Sequence, residues 1–173
     1  FAMTTFVALD FETADRYRDS ACSIGLVRVE QGQVVDRAHY LIRPPRPLFE
    51  FTHIHGITWQ QVANQPDFAE RWPAIAAMLA GADFLAAHNA SFDRSVLNAC
   101  CQAYGIVPAI PDFVCTVKLA RQAWNIRPTK LPNVCDYLGI PLNHHDALSD
   151  AEACAKIAIA SATVPSLSGK PRP

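Results

Sequence analysis

The sequence predicts an α/β fold, a mixed sheet with a hairpin at one side and helices packed on its faces. Three observations carry that expectation. Apolar runs of strand length open the chain, a short Gly-containing link joins two of them, and helically periodic segments then interleave with a further short apolar run. Strands are expected over residues 5–10, 22–30 ("CSIGLVRVE") and 33–42 ("QVVDRAHYLI"), the last two joined through "QGQ". The proline-rich "RPPRPL" breaks the sheet and leads into a loop that holds "HIHGIT". Residues 67–80 have helical spacing, and Pro73 must lie in the first turn or kink the helix. "DFLAAHN" reads as a buried strand feeding a helix over 91–104, where Phe92, Val96, Leu97 and Cys100 share a face. Short helices are expected over 115–124 and 132–138, and a mostly buried one over 147–162.

At 173 residues, half apolar and 18% charged, the chain supplies one substantial core and is too short for two. The expected organisation is one domain over 4–163 and a disordered tail over 164–173, "VPSLSGKPRP". Phe1 and Ala2 precede Met3 and read as added residues. No apolar run reaches bilayer length and no signal-peptide pattern opens the chain, so a cytoplasmic protein without a membrane partner is expected. Six cysteines, none in a C-x-x-C pair, read as reduced core residues rather than a disulfide framework or a zinc site. A net charge of −1 excludes a protein that grips long nucleic acid by its overall field. A phosphate-bearing partner must be held locally.

The stretch "FVALDFE" ends a buried strand in two carboxylates. Strand alternation sends Asp10 and Glu12 to one side and Phe11 to the other. Two like charges there repel and resist desolvation unless a cation lies between them, although a strand ending in water has the same pattern. "HNASFD" places Asp93 in a first helical turn beyond a strand's carboxyl end, where α/β folds build sites. A plain helix cap is the other reading of Asp93. In "HHDALSD", His145 and Asp150 are five residues apart, which on one continuous helix turns them roughly 140° from each other. They converge if His145 stays in the loop, Asp146 caps the helix and Asp150 falls in the first turn. A helix N-terminus decorated with acids for its dipole fits the same residues.

Together, Asp10, Glu12, Asp93, Asp150 and one histidine form an oxygen-rich set suited to Mg²⁺ or Mn²⁺ rather than Zn²⁺. Two such ions roughly 3.5–4 Å apart stabilise both the attacking and the leaving oxygen of an in-line phosphoryl displacement. A histidine at the edge takes a proton from water near neutral pH.

The stretches "FVALDFET", "HIHGIT", "HNASFDRSVL", "CTVKLAR", "LPNVCDYLGI" and "HHDALSDAEACA" run in this order from residue 6 to about 157. In them the sequence resembles the DEDD superfamily of 3′-5′ exonucleases, in the DEDDh subgroup whose last motif is H-x-x-x-x-D. The resemblance implies an RNase H-like fold with five strands, three antiparallel and then two parallel. It implies that Asp10, Glu12 and Asp150 hold one of two Mg²⁺ or Mn²⁺ ions, that Asp10 also reaches the second, and that Asp93 completes the second through water. His145 is implied as general base, with His144 a bystander. Phe11 and Thr13, through their backbone, and Ile54, His55 and Phe92 match positions that meet the 3′-terminal nucleotide.

Two departures bear on the substrate. Thr13 is followed by "ADRYRD", which brings Arg16 and Arg18 to where a strand passes, and Ser23 stands where a glutamate is common. The expected activity is metal-dependent removal of nucleoside 5′-monophosphates from 3′ ends of mainly single-stranded DNA. The alternatives are an exoribonuclease acting on short RNA and, with all five site residues present, the less favoured reading of an inactive nucleic-acid-binding module. Polymerase association is not indicated, and oligomeric state is left open.

Overall fold

The computed structural model describes residues 4–165. Phe1, Ala2 and the part of the predicted tail from 166 onward lie outside the described residues. Five strands form one mixed sheet in the order β3-β2-β1-β4-β5. They are β1 (Thr5–Thr13), β2 (Ala21–Glu30), β3 (Gln33–Leu41), β4 (Phe84–Ala87) and β5 (Phe113–Cys115). The first three pair antiparallel, and β4 and β5 add on in parallel. This is the mixed, helix-flanked sheet the sequence predicts. Gln31 and Gly32 turn the β2–β3 hairpin with φ of 50° and 75°, the positive pair that a two-residue type I′ turn needs.

Period-two alternation along β1 divides the core. Val7, Leu9 and Phe11 join one apolar cluster with Ile75 of α3 (Phe68–Leu79) and Leu97 of α4 (Ala90–Ala103). Phe6 and Ala8 join the other, which is covered by Ala151, Cys154 and Ile157 of α7 (Ala147–Ala162). Each fully enclosed aliphatic side chain contributes about 1.5–3 kcal/mol. Asp10 and Glu12 have the parity of Phe6 and Ala8, so they face the side on which α7 lies.

Gly25 pairs with Asp10 in the β1–β2 ladder. A β-carbon on Gly25 would run into the carbonyl of Ala147 and stand 2.6 Å from Leu148 Cα. Its absence lets the first turn of α7 rest directly on the sheet, beside Asp10. The small residues that follow in α7, Ala151, Ala153 and Ala155 among them, are buried and keep the helix close.

Several elements differ from the sequence expectation. β1 continues to Thr13 because Phe11 and Glu12 still pair with Ile24 and Ser23 of β2. The loop predicted around "HIHGIT" contains two single-turn helices, α1 (Thr52–His55) and α2 (Trp59–Val62), and α2 opens with a Thr58/Gln61 capping box. Pro73 lies inside α3 beyond its first turn. Helices α5 (Thr116–Trp124) and α6 (Leu131–Leu138) match their predicted spans within a residue. All six cysteines are free, five of them buried. Among the described residues no helix is long and apolar enough to cross a membrane.

Candidate active site

The site lies where β1 outruns its neighbour. β4 pairs with β1 only from Phe6 to Ala8, and after Ala87 the chain turns away through His88 and Asn89, the latter at φ 64°. That leaves the carboxyl end of β1 uncovered on one edge. The Phe11 amide, which a longer β4 would have paired, donates instead to Asp93 Oδ1 at 2.9 Å. Asp93 is therefore a buried first-turn residue of α4 and not its cap, a position that Asn89 takes.

The "HHDALSD" segment folds as its spacing requires. Asp146 caps α7 by accepting from the Ser149 amide at 2.9 Å, and Asp150 falls in the first turn. His145 stays in the preceding loop at φ 68°, an uncommon left-handed conformation for a non-glycine residue. Its amide donates to Asp150 Oδ2 at 3.1 Å.

Asp10, Glu12 and Asp150 converge, each offering a carboxylate oxygen within 4.8 Å of the others. His144, His145 and Asp150 form a second such group, sharing Asp150. Asp93 stands outside both sets, though its charge is felt at Asp10. Asp10, Glu12, Asp150 and both histidines line a cleft of about 700 Å³ that Phe92 also borders.

Burial and mutual repulsion both act on these carboxyls. Burial first, then the charges of Asp93, Glu12 and Asp150, pushes Asp10 well above the usual carboxylate range. Burial, then Asp150 and Asp93, raises Glu12 to about 8. Burial raises Asp93 to about 7 against the hydrogen bond from Phe11. Asp150 is raised by burial while His144 opposes the shift. Burial, then the neighbouring His144, holds His145 below the ordinary imidazole value.

Asp10 as a residue is partly buried, but its Oδ2 is fully enclosed and has no hydrogen-bond partner among the described residues. Buried polar atoms are normally paired, and an unpaired buried carboxylate oxygen is costly. A hard divalent cation held by these residues would satisfy that oxygen and relieve the repulsion among Asp10, Glu12 and Asp150. The all-oxygen donor set fits Mg²⁺ or Mn²⁺.

Comparison with known proteins places the chain in a family. The family model described as Exonuclease, RNase T, matches residues 7–158. The chain belongs to the RNase T exonuclease family. Its type is that of the DEDD 3′-5′ exonucleases. It is 34% identical over 161 residues to the PolC-type DNA polymerase III of Thermotoga petrophila, covering 91% of this chain and 12% of that protein. It is 34% identical over 146 residues to exodeoxyribonuclease 10 of Escherichia coli strain K12, covering 79% of this chain and 59% of the relative. The chain thus spans about an eighth of the polymerases and under two thirds of the exodeoxyribonuclease. Exonuclease X, solved in complex with 5′ overhanging duplex DNA, superposes with a TM-score of 0.72 at 28% identity, over 91% of this chain and 92% of that one.

In this exonuclease-family chain the predicted substrate positions occupy different surroundings. Phe92 borders the cleft, and Ile54 is exposed beside His55, His144 and His145 in an adjoining depression. Phe11 buries its ring in the core, and Thr13 is buried too. His55 has both ring nitrogens engaged: Nε2 meets Thr13 O at 2.9 Å, and Nδ1 accepts from the Ile57 amide at 3.0 Å. That pattern assigns the ring proton to Nε2 and makes His55 a brace between α1 and the end of β1.

Four cleft residues escaped the sequence reading. His144, taken there as a bystander, places Nδ1 3.1 Å from Asp150 Oδ2 and stacks on His145 with ring centroids 3.7 Å apart. His88 bridges Thr116 Oγ1 and Thr129 O, each at 2.8 Å, and so ties the end of β4 to α5 and to the segment entering α6. Arg121 and Lys130 line the far wall. The signal for His88 was its place in "HNASFD"; Arg121 and Lys130 had none, because only the packing of α5 and α6 brings them to the cleft.

Proposed function

We propose that this chain removes nucleoside 5′-monophosphates from the 3′ ends of mainly single-stranded DNA, using two Mg²⁺ or Mn²⁺ ions, with residues 4–163 as the catalytic unit. The observation that carries the reading is the orphaned Asp10 Oδ2 among three converging carboxylates in an open cleft. Asp10, Glu12 and Asp150 would hold the first ion, and Asp10 would hold the second with Asp93 acting through water. Bound there, the ions offset the negative charge that develops on the phosphoryl oxygens. DNA is favoured over RNA by relatives named as an exodeoxyribonuclease and as DNA polymerases. Six free cysteines support a reducing, cytoplasmic setting.

His145 acts as general base. Its lowered affinity for protons leaves it neutral near pH 7, and the loop keeps it beside Asp150. It takes a proton from the attacking water as the water oxygen bonds to phosphorus. The bond from phosphorus to the 3′ oxygen breaks, and that oxygen leaves with the bonding pair and takes a proton from solvent water to become the 3′ hydroxyl of the shortened strand. Phe92 and the exposed Ile54 offer apolar surface to the terminal base. The backbone at Phe11 and Thr13, with His55 behind Thr13, shapes the floor beneath it.

The test is digestion of matched 3′-labelled DNA and RNA oligonucleotides with Mg²⁺ or Mn²⁺. DNA is expected to be shortened stepwise to mononucleotides. Faster digestion of short RNA would replace the DNA reading with an exoribonuclease. Asp10→Ala should abolish turnover with the circular dichroism spectrum unchanged, and undiminished activity would refute the metal assignment.

A further inference from the structure

We infer that Arg18 binds the substrate strand, holding a backbone phosphate next to the one being cut. The inference rests on the exonuclease reading above and adds a residue to it. Five buried or half-buried acids around the catalytic cleft repel a polyanion, and a net charge of −1 provides no general attraction to offset them. Arg121 and Lys130 line the cleft itself, and the strand beyond the terminal nucleotide gains from a further cation at its lip.

The loop that follows Thr13 supplies one. It closes on itself through the Ala14 amide, which donates to Ser20 O at 2.8 Å, and through Ser20 Oγ, 2.9 Å from Asp15 O and 2.7 Å from Tyr17 O. Its charges are then partitioned. Arg46 takes both Asp15 and Asp19, at 3.1 and 2.6 Å, and Arg16 takes Glu50 at 2.8 Å. The acids nearest Arg18 in sequence are therefore already engaged by Arg46, which offsets one of their two charges. Among the described residues Arg18 makes no ion pair.

An exposed arginine without a partner ordinarily samples many rotamers. Here the guanidinium carbon rests 4.6 Å from the ring centroid of Phe92, which fixes the charge against the cleft wall. Arg18 itself lines a neighbouring cavity of about 370 Å³ with Tyr17, Asp19, Arg46 and Gln102, and not the cleft that Phe92 shares with Asp10, Glu12 and Asp150. A phosphate at Arg18 is consequently a different one from the scissile phosphate. The planar fork of donors suits a phosphate, and the ring face beneath leaves its edges free to bond.

The experiment compares wild type, Arg18→Gln and Arg18→Lys on two substrates at fixed Mg²⁺. One is a short single-stranded DNA oligonucleotide, and the other is p-nitrophenyl thymidine 5′-monophosphate, which carries only the phosphate to be cut. For Arg18→Gln, KM for the oligonucleotide should rise about tenfold, as loss of one charge-assisted contact implies. The ratio of kcat/KM for the oligonucleotide to that for the nitrophenyl ester should fall by a similar factor. The slope of log KM against log salt should shrink by about 0.7, the value for one phosphate contact on a single strand. Arg18→Lys should retain the slope. An oligonucleotide KM that rises with the slope unmoved would assign Arg18 to bracing Phe92 and overturn the proposal, as would wild-type values throughout. Wild-type protein inert on both substrates would instead sink the exonuclease reading, and this inference with it.

Discussion

Asp150 meets the two adjacent histidines in different ways. His145 offers its amide to Asp150 and is held in a left-handed loop conformation, whereas His144 offers ring Nδ1 to the same carboxylate. A ring that bonds a metal-binding carboxylate orients it; a ring stacked outside that pair is free to take a proton. His145→Ala should therefore lower kcat by about 10²–10⁴-fold with Mn²⁺ affinity retained. His144→Ala should weaken Mn²⁺ binding with a smaller loss in kcat. Titration calorimetry and steady-state kinetics read the two effects, and the reverse pattern would exchange the roles. The spacing and the family resemblance pointed to His145 alone, but which ring reaches Asp150 depends on the loop's φ and not on residue type.

Two elements bring the acids together by what they lack. β4 is four residues long and stops short of Asp10, which frees the Phe11 amide for Asp93. Gly25 has no side chain, which lets α7 settle with Asp150 beside Asp10. Gly25→Ala places a methyl group against the backbone of Ala147 and Leu148, and neither can move without shifting the α7 N-terminus. The expected cost is about 1–3 kcal/mol of stability, typical of overpacking, with a loss of activity larger than Ala substitutions on β2's exposed neighbours cause. Thermal melts and oligonucleotide digestion of the same preparation check it, and wild-type turnover in Gly25→Ala would show that α7 is not held by this contact.

At this scale most elements were legible, and only the shortest, α1, α2 and β5, were not. β2, α4 and α7 each show one or more full periods of apolar spacing, so their spans follow from the residues alone. α1, α2 and β5 are three or four residues long, less than a readable period, and exist because the rest of the chain positions their ends. The parity of Asp10 and Glu12 was likewise legible, but the identity of the helix they face was not.

Across the whole molecule, the carboxylate cluster couples metal binding to stability and to pH. Glu12 and Asp93 hold protons in the folded state up to about 8 and about 7, well above their ordinary values of 4.5 and 3.8. The folded protein therefore binds more protons than the unfolded chain, and metal-free stability falls as pH rises towards about 8. His55, His88 and His145 are held below the ordinary 6.5 and act with the opposite sign, but only below that pH. Between pH 6.5 and about 8 the acids therefore decide the slope. The melting temperature in chelator should drop across this window, and saturating Mn²⁺ should raise it by an amount that grows with pH. A metal-induced gap that stays constant with pH would disconnect the cluster from metal binding.

The sequence by itself determined the fold class, the long elements and the acids placed on one side of β1, because periodicity and helix caps are local properties written within a few residues. Only the tertiary structure decided which carboxylates converge, that Asp93 turns to the Phe11 amide, and that His144 pairs with Asp150. It also decided that Arg18, among the charges of its loop, has no ion-pair partner among the described residues and is set against Phe92. Those outcomes depend on how far β4 extends, how closely α7 approaches Gly25 and which acids Arg46 takes first, and each is a contact between residues distant in the chain.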